Sequence, residues 1–329
     1  LFLQDCQTAW GQTLPGWGSN PDCASATQNI KCDNNGMITQ VSLVGLNLGG
    51  PIPDSISNLD QLVGLFIHMS TLTGSIPSGI SKLSKLQRLY LKWNKLTGEI
   101  PSEIGNLTSL RYLHLPNNQL AGSIPAEINH LTNLNIIDLA NNRLSDSISV
   151  ALGSLTKLEY LGLESNQLTG PIPSSIGNLV NVVQIYLNEN ELSGAIPSGI
   201  GSLTKLTHLN LENNQLTGSI PSGIGNLAAM GYLFLGSNRL TGPVPPSISS
   251  LTRLSTLSLE SNELEGELSE SICALSSLAK LYLHMNRVTG SIPSSISKLS
   301  SLRSMRLDSN RLTGTIPSTI GKMNGLGRL

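Results

Sequence analysis

His114 and Asp138 are 24 residues apart, and that interval governs most of the chain. Both fall at the fifth position of adjacent repeats, which brings their side chains to about 5 Å. A His–Asp pair can orient an imidazole, but catalysis needs a nucleophile beside it, and this pair has none. The chain contains no GxSxG, HExxH, P-loop or GxGxxG pattern. His68 and His284 are nine repeats apart and cannot share a metal, and no CxxC zinc spacing is present. These residues predict no enzyme, no metal and no cofactor.

Binding chemistry is better represented. All six tyrosines fall at outward positions of the predicted strands: Tyr90, Tyr112, Tyr160, Tyr186, Tyr232 and Tyr282. Phe66 and Phe234 join them, with four of the five histidines, and Trp93 lies just beside the third strand. β-Strands favour Tyr and Phe on packing grounds alone. Exposed aromatics in a row point instead to recognition. Charges on the same face segregate. Arg88, Lys92, Lys95 and Arg111 form a basic block; Glu159, Glu164, Glu189, Glu191 and Glu212 an acidic one. Lys280, Arg287, Arg303, Arg306 and Arg311, against Asp308, form a second basic block. The expected ligand-binding set is Phe66, Arg88, Tyr90, Lys92, Trp93, Arg111, Tyr112, His114, Tyr160, Glu164, Tyr186, Glu212, Tyr232, Phe234, Tyr282 and Arg306.

The elements that position these residues follow from the repeat. From Ile38 the pattern LxxLxLxxNxLxGxIPxxIxxLxx runs twelve times without insertion, to residue 325. Residues 326–329 begin a thirteenth repeat. This is the signature of a leucine-rich repeat. The xLxL segment alternates, so it is a short strand with its leucines inward. Stacked strands make a parallel sheet on a concave side, with 3₁₀ or irregular segments on the convex side. The predicted class is an α/β-type solenoid, a right-handed superhelix. Asn at the ninth position, from Asn94 to Asn310, is expected to satisfy backbone groups at the turn that leaves the strand. Leu46 and Ser70 replace it in the first two repeats. Asp146 replaces a Gly, and Ser149 and Ser269 replace a Pro, which is expected to loosen the convex side locally.

Residues 1–37 lie outside the repeat and form an N-terminal cap, with a short helix over LFLQDCQTAWGQ and Trp10 and Trp17 packing on the open end. Three of the four cysteines, Cys6, Cys23 and Cys32, cluster there, which suggests an oxidising, secreted setting. Cys23 pairs with Cys32 in the favoured reading. Cys6 is then free or paired outside this segment, and Cys273 is a small buried thiol. The last residues, LGRL, stop mid-strand, so the natural chain is expected to continue. A net charge of −1 gives no global pull toward nucleic acid or membrane. No run approaches the roughly 18 apolar residues of a membrane span.

The LTGxIPxxIGNL form of the repeat resembles plant-type extracellular leucine-rich repeats over residues 38–329. Trp17, Cys23 and Cys32 are similar to that family's N-terminal cap. The resemblance implies a non-enzymatic, secreted or cell-surface scaffold that binds a peptide or protein partner on its concave face, as receptor-like kinase ectodomains do. The alternatives it implies are a polygalacturonase-inhibitor-like protein, with a cell-wall enzyme or an oligosaccharide as partner, and an ice-binding protein. One glycosylation sequon is present, at Asn106. The paired arginines that bind a ligand carboxylate in peptide-hormone receptors find only Arg306-Leu307-Asp308 here, which breaks the pair.

Overall fold

The structure, a computed structural model, describes residues 2–11, 29–323 and 325–327. Two compact units make up the chain, Leu1–Gln167 and Leu168–Leu329. Each is built from the same three layers: a parallel sheet, an apolar core and a row of 3₁₀ turns.

In the first unit the helix Phe2–Trp10 buries Phe2, Leu3, Cys6 and Trp10. The Trp10 indole N–H donates to the Pro51 carbonyl at 2.9 Å, tying the helix to the first repeat. Strand Ile30–Cys32 then pairs antiparallel with Ile38–Val44. Asp33 closes the turn between them: its Oδ1 accepts from the amides of Asn35 and Met37, each at 2.9 Å. From Ile38–Val44 the strands run parallel, through Gly64–His68, Arg88–Tyr90, Tyr112–His114, Ile136–Asp138 and Tyr160–Gly162. Cys32 is disulfide-bonded, whereas Cys6 and Cys273 are free and buried. Cys23 and Trp17 lie outside the described residues.

The second unit repeats the arrangement with Gln184–Tyr186, His208–Asn210, Tyr232–Phe234, Thr256–Ser258, Lys280–Tyr282 and Ser304–Arg306, all parallel and in 24-residue register. It also carries a second parallel sheet that the periodicity did not suggest. Thr169–Pro171, Glu191–Ala195, Gln215–Ser219, Arg239–Gly242 and Glu263–Leu264 pair in order. The first unit holds one such pair, Ala121–Ser123 with Arg143–Ser145.

The cores are leucine and isoleucine. In the third repeat Leu86, Leu89, Leu91, Leu96, Ile104 and Leu107 are all fully buried. The asparagine column seals the turn above them. Asn94 is typical: its Oδ1 accepts from the amides of Ser70 and Leu72, and its Nδ2 donates to the carbonyls of Ile67 and Leu91. Ser70, which stands in that column, is itself buried and donates to the Leu43 carbonyl at 2.9 Å. On the far side, 3₁₀ turns such as Ser102–Asn106 each follow a residue held extended, here Pro101 at φ −64°. Ser149 and Ser269 keep that geometry at φ −62° and −65°. Their hydroxyls accept from the amides of Ala151 and Ser271, so the turns there are capped and not loosened.

Candidate binding face

The fifth strand positions of the first unit form one continuous row. Register places Phe66, Tyr90, His114 and Asp138 opposite one another on neighbouring strands. Phe66 and Tyr90 meet edge to face with centroids 5.0 Å apart, and Tyr90 meets His114 at 4.4 Å. The row ends in a polar contact, His114 Nδ1 to Asp138 Oδ2 at 3.5 Å. The expected His–Asp pair thus exists, and it serves as the polar end of an aromatic row. Burial pushes the Tyr90 phenol up, with Tyr112 adding to it and Arg88 opposing. Tyr112 sits one column away, between Arg88 and Ile136, and Tyr160 follows Ile136. Tyr160 and Glu164 fill the space over Gly162: a Cβ there would lie 2.7 Å from the Tyr160 ring and 3.2 Å from Glu164 Oε2.

Beside this row lies the eighth position, where the chain leaves the strand. Its backbone is left-handed, at φ 52–58°, in Met69, Trp93, Asn117, Asn141, Ser165, Glu189, Asn213, Ser237, Ser261, Met285 and Ser309. Most of these residues are Asn or Ser, and Asn in particular tolerates that conformation. Trp93 and Met69 are bulky, yet they are 57% and 60% exposed. They line a hollow of about 300 Å³ with Thr71, Asn94, Lys95 and Asn117. Thr71, at φ 56°, is left-handed as well. Nearby, burial and the Lys92 charge lower the His68 pKa.

In the second unit the aromatic contacts cross columns: His208 and Tyr232 stand opposite one another at the third position, whereas Tyr186, at the fifth, stands opposite Asn210. His208 stacks on Tyr232 at 4.5 Å and tilts toward Tyr186 at 6.4 Å, and Tyr232 lies parallel to Phe234 at 6.4 Å. Burial keeps His208 below its ordinary pKa and therefore toward the neutral form. Glu212 faces Glu260 across Gly236, and the Ser258 hydroxyl lies within hydrogen-bond distance of both carboxylates. Burial pushes the Glu212 carboxyl up; Ser258 opposes this, while Glu260 and Glu189 add to it. Further on, Glu260, Tyr282, His284 and Arg306 line a second hollow of about 300 Å³. Arg306 is already held by Asp308 through two bonds of 3.2 Å, which draws the Asp308 carboxyl below its usual range.

The structure therefore sorts the sequence-derived set. Phe66, Tyr90 and His114 are brought together, with Lys92, Trp93, Arg88, Arg111 and Tyr112 on or beside the same strands. Tyr186, Tyr232, Phe234 and Glu212 share the second unit's face with Tyr282 and Arg306. The later basic block is partly neutralised within the chain, by Arg306–Asp308 and by Arg287–Glu263 at 2.9 Å. The earlier block, Arg88, Lys92, Lys95 and Arg111, has no ion pair to a carboxylate among the described residues. Sequence reasoning missed Met69, Thr71 and Asn117 as neighbours of Trp93. The signal available was the Asn- and Ser-rich eighth column, in which Met and Trp are out of place. Asn106 is exposed at the end of its 3₁₀ turn.

This architecture, repeated strand, asparagine turn and 3₁₀ return, defines a leucine-rich-repeat protein. The chain is one, with repeats of the plant extracellular type. The family model described as Leucine Rich Repeat matches residues 85–107, 157–179, 205–227, 277–299 and 301–323. A second, described as Leucine Rich repeats (2 copies), matches residues 108–151. No curated protein matches the chain in sequence. Among solved structures it is similar to the PEPR1–AtPEP1 complex, with 28% identity and a TM-score of 0.87, covering 100% of this chain and 50% of that one. It is similar to the plant peptide hormone receptor RGFR1 in complex with RGF2, with 32% identity and a TM-score of 0.82, covering 91% of this chain and 55% of that one. A plant ice-binding protein matches at 27% identity and a TM-score of 0.57, covering 96% of this chain and 87% of that one. The chain thus spans about half the length of the PEPR1 and RGFR1 chains. No helix among the described residues is long and apolar enough to cross a membrane.

Proposed function

We propose that this chain is a non-catalytic, extracellular recognition segment of a receptor-like protein, and that it binds a peptide or partner protein on the strand face. The observation that carries the reading is the two aromatic groups, the row Phe66–Tyr90–His114 and the cluster of Tyr186, His208 and Tyr232. Their rings meet across strands whose inward faces are already filled by leucine, so they add little to the core. They offer rigid, amphipathic contact area of the kind that dominates interfaces. Similarity to receptors solved with peptides supports the same reading. A Cys23–Cys32 disulfide in the cap and a glycan on Asn106 would suit an extracellular setting.

The ice-binding alternative needs a regular, uncharged threonine array. The column that would supply it reads Thr73, Thr97, Ala121 and Ser145 in the first unit, and Thr169, Ser193, Thr217, Thr241, Glu265, Thr289 and Thr313 in the second. Alanine and glutamate interrupt it. No observation favours a cell-wall enzyme or an oligosaccharide as partner.

The test is to pan a displayed random-peptide library on the immobilised chain. Peptides should be enriched, and Tyr90→Ala or Tyr186→Ala should weaken them by about tenfold. Ser222→Arg, on the 3₁₀ side, should not. Peptides lost only with Ser222→Arg would contradict the reading.

A further inference from the structure

We propose that the hollow between Met69 and Trp93 seats an acidic peptide segment, which inserts one apolar side chain between carboxylates that meet the surrounding lysines and arginines. This rests on the strand-face reading above and adds the chemistry of the partner.

The first argument is backbone strain gathered at three residues of one hollow. A left-handed backbone disfavours large side chains, and a bulky or β-branched residue there is an outlier. Trp93, Met69 and Thr71 all adopt it, at φ 56°, and all three line the same hollow.

 Apart from Met69, Trp93 and Met285, the left-handed eighth position is held by Asn, Ser or Glu. The strain is not offset by burial, since Trp93 and Met69 are more than half exposed. Strain kept at an open, apolar hollow marks a surface that is completed by something else.

The second argument is charge. Lys95 lines the hollow, Lys92 precedes Trp93, and Arg88 and Arg111 stand on the same and the next repeat. None of the four has an ion pair to a carboxylate among the described residues. The His68 imidazole, lowered by burial and by the Lys92 charge, is kept toward its neutral form, so the field comes from the lysines and arginines. A surface with this field draws carboxylates, and the complementarity sets register and association rate. The third argument is size and softness. About 300 Å³ lies at the low end of ligand pockets, suited to a side chain more than to a whole small molecule. Met69 supplies an adaptable wall, and Trp93 a rigid one. An acidic polysaccharide would use the charge and the flat Trp93 ring, but would leave the Met69 side of the hollow unfilled.

The experiment uses the same panning on the full chain, followed by sequencing of the pool and anisotropy titrations with a synthetic peptide from it. The pool should be enriched in Asp and Glu flanking Leu, Met or an aromatic residue. Trp93→Asn should weaken the peptide about tenfold or more, while its denaturation midpoint rises because Asn accepts the left-handed backbone. That rise separates lost contact from lost fold. Lys92→Glu with Lys95→Glu should weaken binding at low salt, with the effect shrinking at high salt. An acid-poor pool that ignores Trp93→Asn but is lost with Tyr186→Ala would overturn this inference and leave the strand-face reading standing. A pool with no enrichment would overturn both. Polygalacturonate that binds where no peptide does would also overturn the inference, in favour of a sugar-acid ligand.

Discussion

Asn214 and Asn188 are the same residue type in the second unit, and the structure gives them opposite tasks. Asn214 is buried; its Nδ2 donates to the carbonyls of Leu187 and Leu211, and its Oδ1 accepts from the Leu192 amide. Asn188 faces outward, and its buried Oδ1 has no partner. Asn214→Ala should therefore cost about 1–3 kcal/mol more than Asn188→Ala, read as a difference in denaturant midpoints. Glu212 carries a pH signature. Burial, with Glu260 and Glu189 beside it, holds its proton more tightly in the folded chain than in the unfolded one. Folding thus takes up a proton, so this contribution is full below the ordinary carboxylate pKa of about 4.3 and is lost as pH rises through the raised value. Glu212→Gln should flatten that decline and be at least as stable as the wild type at neutral pH. Denaturation midpoints measured across that pH range check it. The asparagine column was legible in the sequence because its residue is constant from Asn94 to Asn310. The strain at Trp93 was not, because a left-handed backbone shows only as a preference spread over many repeats, and the exceptions read as ordinary variation.

At the scale of elements, strands and 3₁₀ returns were both legible: alternating leucines face one core, and the extended residue before each turn is usually Pro. The second sheet was not. Its strands are short and mostly polar, as in Gln215–Ser219 where Leu216 is the one apolar residue, and pair only because stacking brings the same segment of each repeat into line. Stacking is also tight on the 3₁₀ side, which yields a test. A Cβ on Gly201 would lie 2.6 Å from the Gly223 carbonyl oxygen, a backbone atom that cannot swing away. At the same place in the last repeat, Gly321 meets nothing within 4 Å among the described residues. Gly201→Ala should destabilise by about 1–3 kcal/mol, as overpacking does. Gly321→Ala should be neutral or slightly stabilising. Thermal or chemical unfolding of the two variants decides between this stacking and a looser one.

At the scale of the whole molecule, the net charge of −1 conceals local fields. The arginine–carboxylate ion pairs among the described residues are Arg287–Glu263 and Arg306–Asp308, and both lie at the surface. Exposed pairs contribute little. Added salt should therefore change folding stability by less than about 1 kcal/mol, while it slows association with an acidic partner appreciably. Melting curves and association rates over one salt series separate the two. The measurement that bears most directly on the strand face is hydroxyl-radical footprinting of the chain with and without a selected peptide. Oxidation should fall at Met69, Tyr90 and Trp93, while the exposed Met37, Val150 and Ile316 keep their free rates. Unchanged oxidation at Met69, Tyr90 and Trp93, with protection at Val150 or Ile316, would contradict the account.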